Sequence, residues 1–256
     1  MKNILFASDL DNTLIYSGRH KLDDDICIEY IHEKPQGYIS KKTLDALKNI
    51  TSGATVLPIT TRSIEQYLRI QWPEGCEPEY AITTNGAVLL HRGKPVEEWW
   101  QSTQELIKPF EDELERMHTL LAQSDKFIRC RIVDSSYLFV YCKDGVSAGD
   151  CMQEYSNETT LCTVASGKKL YFFPNMINKG ESLKRFLSFM PYKTVICAGD
   201  SSIDIPLLVQ GDIAYVPGRT LAGQCPSDKV SICPEGVRFS EFVTHSTLSF
   251  VTQNCK

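Results

Sequence analysis

Three short apolar runs constrain this chain most: Ile4–Ala7, Val56–Ile59 and Val195–Ala198. None has polar residues at alternate positions, so each predicts a strand buried on both faces rather than one half open to water. Each also gives way to residues that can do chemistry, Ser8-Asp9, Thr60 and Gly199-Asp200. Helical patterns lie between them. Ser40 opens one with Leu44, Leu47 and Ile50 on a single face and Gly53 as its stop, and a second covers Lys179 to Met190. Ser63 to Gln66 has capping-box spacing, which predicts a helix immediately after the second run. Tyr80–Ile82 reads as a third strand closed by the turn signal Asn85-Gly86. Ile213–Val216 and an edge strand at Val230–Ile232 continue the series. Strand–helix–strand alternation of this kind predicts a parallel sheet with helices on both faces.

The pattern changes near Pro95. Ser102–Glu105 has capping-box spacing ahead of Leu106, Phe110, Leu114, Met117 and Leu121, with Pro109 an alternative first turn. Phe127–Val133 alternates and pairs naturally with Tyr137–Cys142 as a hairpin; a helix near Ser147–Tyr155 leads to Thr160–Ala165 and Leu170–Phe173. This helix–strand–strand grammar, given twice, predicts an α+β module over 93–173, inserted in an α/β core formed by 1–92 and 174–256. Arg129 and Arg131 share one face of the first hairpin strand and are expected to face water. Residues 15–39 exceed a simple connection; Asp23–Asp25 reads as a solvated acidic turn, and Ile26–Ile31 with Tyr38-Ile39 as a small hairpin at the entrance to a site.

Bulk properties bound the function. A net charge of −5 without a Lys/Arg block argues against nucleic acid or a membrane surface as partner, while leaving small phosphorylated molecules open. No stretch has the length of a membrane span, and the first apolar run is too short for a signal peptide, so the expected address is the cytoplasm. The ten cysteines show neither zinc spacing nor a CxxC pair and are expected to be reduced, mostly buried thiols.

The chemistry concentrates at strand ends. Asp9 and Asp11 follow the first run, Asp200 follows another, and Asp204 comes one helical turn later. In open α/β sheets ligands bind beyond the carboxyl ends of the strands, and carboxylates gathered there call for a cation; hard oxygen donors open to water suit Mg2+. Thr60 and Thr61 precede a capped helix N-terminus, which attracts anions, and Lys179 adds a point charge. Asn85 is either a turn residue or a contact for the leaving group.

With these residues in place, Asp9-Leu10-Asp11-Asn12-Thr13-Leu14 resembles the DxDxT motif of the haloacid dehalogenase superfamily. Thr60 resembles its second motif, Lys179 its third, and Gly199 to Asp204 its fourth. The placement of the insert resembles the type IIB (C2B) cap of Cof-like, sucrose-phosphate and mannosyl-3-phosphoglycerate phosphatases and of phosphomannomutases. The resemblance implies a Rossmann-like core with an α+β cap and a phosphatase acting on a small phosphomonoester. It implies Asp9 as nucleophile, Asp11 as acid and base, Thr60, Thr61, Lys179 and Asn85 around the substrate, and Mg2+ on Asp9, the Asp11 backbone carbonyl and Asp200, with Asp204 either a further ligand or a support for the others. A phosphomutase using the same intermediate is one alternative, and a non-catalytic Mg2+-binding protein another. Three positions depart from the common pattern: Asn12 and Thr61 stand in place of glycines, and Ile203 in place of asparagine.

Overall fold

The computed structural model describes residues 2–226 and 228–254, which fall into two compact units, 1–95 with 179–256, and 96–178. The first unit begins with β1 (Ile4–Ser8), β2 (Tyr16–Ser17), β3 (Asp25–Ile31) and β4 (Lys34–Ser40). It continues through α1 (Lys41–Gly53), β5 (Ala54–Pro58), α2 (Ile64–Leu68), β6 (Tyr80–Thr83), β7 (Val88–His91) and β8 (Lys94–Pro95). The second unit holds α3 (Glu97–Ile107), α4 (Glu111–Ala122), β9 (Phe127–Val133), β10 (Tyr137–Cys142), α5 (Ala148–Tyr155), β11 (Cys162–Ser166) and β12 (Lys169–Phe173). The chain then returns to the first with α6 (Lys179–Phe189), β13 (Thr194–Ala198), α7 (Ile205–Leu208), β14 (Ile213–Val216), α8 (Arg219–Ala222), β15 (Val230–Ile232) and α9 (Phe239–Asn254).

The core is a parallel sheet in the order β15-β14-β13-β1-β5. All five residues of β1 are buried, as its unbroken apolar run requires. β5 lies to one side of β1 while β13, β14 and β15 step away on the other. Right-handed crossovers therefore carry α1 and α7 over opposite faces. Ser40 caps α1, accepting from the Thr43 amide at 3.1 Å, and Leu44, Leu47 and Ile50 turn inward. The Ser63–Gln66 capping box forms in both directions and starts α2. The sequence of strands reverses direction at β1 and β13, the switch point where such sheets leave a crevice.

The second unit is a four-stranded antiparallel sheet, β11-β12-β10-β9, with α4 and α5 packed on it. Register places Tyr137, Phe139, Tyr141, Tyr171 and Phe173 on one face. Arg129 on β9 is exposed as expected, and Arg131 lies over the Phe139 ring.

Several expectations need correction. Ser102 does not start a helix; α3 begins at Glu97 without a side-chain cap, its acidic first turn facing the helix dipole. The break falls at Lys108–Phe110, a 3-10 turn that accommodates Pro109. Tyr80–Ile82 makes one parallel bridge to the core, Ile59 with Ile82, and otherwise belongs to the antiparallel sheet β6-β7-β8. Asp25 is not solvated: Arg238 grips its carboxylate, with 2.7 Å from Nη2 to Oδ2, and stacks over Tyr16. The hairpin of β3 and β4 forms as read. Nine cysteines are free, six of them buried; Cys255 lies outside the described residues. No helix among the described residues is long and apolar enough to cross a membrane.

Candidate active site

Asp9 is the first residue past β1, and its amide donates to the Ala198 carbonyl at 2.9 Å, which ties it to the end of β13. The chain then turns tightly: the amides of Thr13, Leu14 and Ile15 all donate to the Leu10 carbonyl. Asn12 takes the left-handed conformation (φ 60°) that a glycine would otherwise supply, and its side chain bonds Asp200. Leu10 and Leu14 are buried beneath the turn, fixing the acidic residues above them.

Lys179, the first residue of α6, is only 2% exposed, and its Nζ donates to Asp9 Oδ1 at 2.5 Å and to Asp204 Oδ1 at 2.6 Å. The other oxygen of Asp204 accepts from the amides of Asp200 and Ser201 and from Ser201 Oγ, each at 3.0 Å. Both Asp204 oxygens are thus engaged by groups of the protein. Gly199 makes this loop feasible, since a Cβ there would lie 2.3 Å from that of Asp204. Ile203 is buried in the place where a polar residue was the common pattern.

Carboxylate oxygens of Asp9, Asp200 and Asp204 lie within 4.8 Å of one another. Burial raises the Asp9 carboxyl well above its usual range, against the pull of Lys179 and with the push of Asp204 and Asp200. Burial, then the Asp204 charge, pushes Asp200 up to about 7. Burial alone would lower Lys179, but Asp204 and Asp9 overcome it and hold the ammonium charged. The native protein therefore keeps a proton on Asp200 that the unfolded chain has lost above about pH 4. This contribution to stability is complete below that pH and disappears as pH rises through 7. Metal-free protein is expected to lose about 2–4 kcal/mol from this carboxyl between pH 4 and pH 8. Asp200→Asn should flatten that part of a denaturation-against-pH curve; parallel curves for the two proteins would contradict the assignment.

At the neighbouring strand end the Ile59 amide donates to the Ser8 carbonyl at 2.8 Å, bringing buried Thr60 to the same sheet edge as Asp9. The loop after it is knit to the turn after β6: Thr60 N to Ile82 O, Asn85 N to Thr60 O and Thr84 N to Arg62 O. Thr84 and Asn85 are both left-handed (φ 54° and 56°), and Asn85 is buried. Thr61 is partly exposed beside them.

The sequence did not single out Arg62 and Glu29. Arg62 donates from Nε and Nη2 to the two oxygens of Asp11 at 3.0 and 2.7 Å, and from Nη1 to Glu29 Oε2 at 2.9 Å. Arg69 reaches the other Glu29 oxygen at 3.3 Å. Burial opposes the Arg62 charge, and the two carboxylates more than restore it. The one legible signal was an arginine two residues past Thr60.

No family model matches the sequence, and no curated protein matches it. The fold is recognisable all the same: a parallel-sheet core with an inserted α+β unit is shared with solved phosphatase structures. Among solved structures it is similar to the sucrose-phosphatase from Synechocystis sp., determined with sucrose and phosphate, at 14% identity and TM-score 0.67, over 97% of this chain and 99% of that one. It is similar to a phosphatase of the haloalkanoate enzyme superfamily from Bacteroides thetaiotaomicron, at 16% identity and TM-score 0.55, over 97% and 96%. The C-terminal domain of trehalose-6-phosphate phosphatase from C. albicans gives 15% identity and TM-score 0.59, over 98% and 92%.

Proposed function

We propose that this chain is a Mg2+-dependent phosphatase that hydrolyses a small phosphomonoester through an aspartyl-phosphate on Asp9. The observation that carries the reading is the buried Lys179 bridging Asp9 and Asp204, with Asp200 in the same cluster. A purely structural role would not need three carboxylates around one ammonium, because each buried carboxylate adds desolvation cost and mutual repulsion.

The donor set fits a hard divalent cation, since the clustered carboxylates exceed the charge that Lys179 can offset. Asp9, Asp200 and the Asp11 backbone carbonyl would hold Mg2+, with Asp204 steadying the loop; when bound, the ion neutralises charge on the phosphoryl oxygens. An Asp9 oxygen attacks phosphorus, and the bond from phosphorus to the leaving oxygen breaks with its electron pair. Asp11, which Arg62 holds as a carboxylate, takes up a proton with the substrate and gives it to that oxygen, releasing the alcohol. Asp11 then takes a proton from water as its oxygen attacks the aspartyl-phosphate, so inorganic phosphate leaves and Asp9 is restored. Lys179 and the Thr60 hydroxyl hold the phosphoryl oxygens as charge spreads over them, with Thr61 and the Thr61–Arg62 backbone beside them. Asn85, buried at the adjoining turn, steadies the Thr60 loop through its amide.

Neighbours named for sucrose and trehalose phosphates support a sugar phosphate or related ester as substrate. Every residue given a role here belongs to the first unit. The test is phosphate release from a panel of phosphorylated sugars and polyols with Mg2+. Release that EDTA stops and added Mg2+ restores is the expected result. Isomerised product without free phosphate would favour a mutase, and no turnover of any member would favour a non-catalytic protein.

A further inference from the structure

Glu29 stands on β3, in the hairpin inserted between β1 and α1, and its side chain is 6% exposed. A buried acid on a small three-stranded sheet is costly unless it is paired, and this one has two arginines. The hairpin is shaped for it. Glu29 faces Gly37 across the strands, and a Cβ on Gly37 would lie 2.8 Å from Glu29 Oε2 and 3.0 Å from its Cβ. The strand is also anchored to the segment after α2, through Gln71 N to Ile28 O at 2.7 Å and a bridge from Glu29 to Ile70.

Arg62 is held from every side. Its amide donates to Thr60 Oγ1, its carbonyl accepts from Thr84, one edge of the guanidinium takes Asp11 in a two-point grip, and Nη1 takes Glu29. A two-point guanidinium–carboxylate pair fixes the plane of the carboxylate only if the guanidinium is itself fixed. Glu29 supplies that second constraint.

We propose that Glu29 is a positioning residue: acting through Arg62, it sets the direction in which Asp11 presents its carboxyl to the leaving-group oxygen. The inference rests on the phosphatase reading. It makes the hairpin a part of the proton-transfer geometry rather than a surface embellishment.

The test compares leaving groups. An alkyl phosphate needs a proton on the departing oxygen, whereas p-nitrophenyl phosphate leaves as a stable anion and needs little help. kcat/KM reports the steps through departure of that oxygen. Glu29→Gln is expected to lower kcat/KM for an alkyl phosphate at least about tenfold, and for p-nitrophenyl phosphate less than about threefold. Asp11→Asn gives the same skew in larger form. Gly37→Ala, which pushes the Glu29 carboxylate aside, should reproduce it, so the question remains answerable if Glu29→Gln folds poorly. Equal losses on both substrates mean a structural role only and overturn the proposal, as does no loss on either. An inactive wild-type protein would instead refute the phosphatase reading.

Discussion

Replacing Asp9 with asparagine is expected to lower phosphate release by on the order of 10⁴-fold or more while leaving the protein folded and close to wild-type stability. Asparagine has nearly the same shape but cannot form the acyl phosphate. Its neutrality also removes a carboxylate that burial and the charges of Asp204 and Asp200 all disfavour. The lost ion pair with Lys179 is partly compensated, because Lys179 keeps Asp204 at 2.6 Å. Metal-free Asp9→Asn should therefore unfold within about 1 kcal/mol of wild type in urea, or later. Loss of activity together with a large loss of stability would mean that Asp9 is chiefly a structural anion.

Lys179→Met should behave in the opposite way toward stability. The ammonium is buried between two carboxylates, and methionine fills its volume without its charge. Asp9 and Asp204 would then face each other uncompensated, and removing one member of a buried pair costs about 3–5 kcal/mol. The proposed mechanism expects activity to be lost as well, because it assigns Lys179 to the phosphoryl oxygens. The decisive feature is pH: on acidification the Asp9 carboxyl, which burial raises, can take a proton, so the deficit should shrink. Equilibrium urea unfolding at pH 5 and pH 8 measures this. A deficit equal at both pH values would show that lost packing, rather than unbalanced charge, is responsible.

These two variants separate because the site is a charge arrangement before it is a catalyst, and that arrangement was only partly legible in the sequence. Strand-end residues could be read because a fully buried strand has a recognisable run and ends where polarity begins; Asp9, Thr60 and Asp200 follow from this. Lys179 could be placed at a helix start, but not between Asp9 and Asp204, since the pairing joins residues 170 positions apart. Glu29 was invisible for a related reason. It sits among Ile26, Ile28 and Tyr30 in a stretch whose alternation suggests a solvent-facing acid, and only the fold brings Arg62 and Arg69 to it. Asp25 misled in the same way, its partner Arg238 lying 213 residues on.

The fold shows the same division. The core alternation was readable because its strands are buried on both faces. α9 was missed because Phe239–Asn254 is rich in serine, threonine and valine, weak helix formers. Its buried face carries Phe239, Ser240, Val243, Thr244, Thr247 and Val251, so half of the residues on it carry hydroxyls. Ser240 bonds Thr43 of α1 at 2.9 Å, and Thr244 returns its hydroxyl to the Ser240 carbonyl at 2.8 Å. The Ser102 capping box misled because its spacing alone does not show that a helix is already under way.

The proposed mechanism requires Asp9 to carry the phosphoryl group. The most direct measurement is rapid acid quenching during turnover of a phosphorylated substrate, followed by mass spectrometry of the proteolysed protein. A phosphoryl adduct on the peptide containing Asp9 is expected, absent in Asp9→Asn and formed fast enough to account for phosphate release. Steady turnover with no adduct on that peptide, or an adduct that persists in Asp9→Asn, would contradict it.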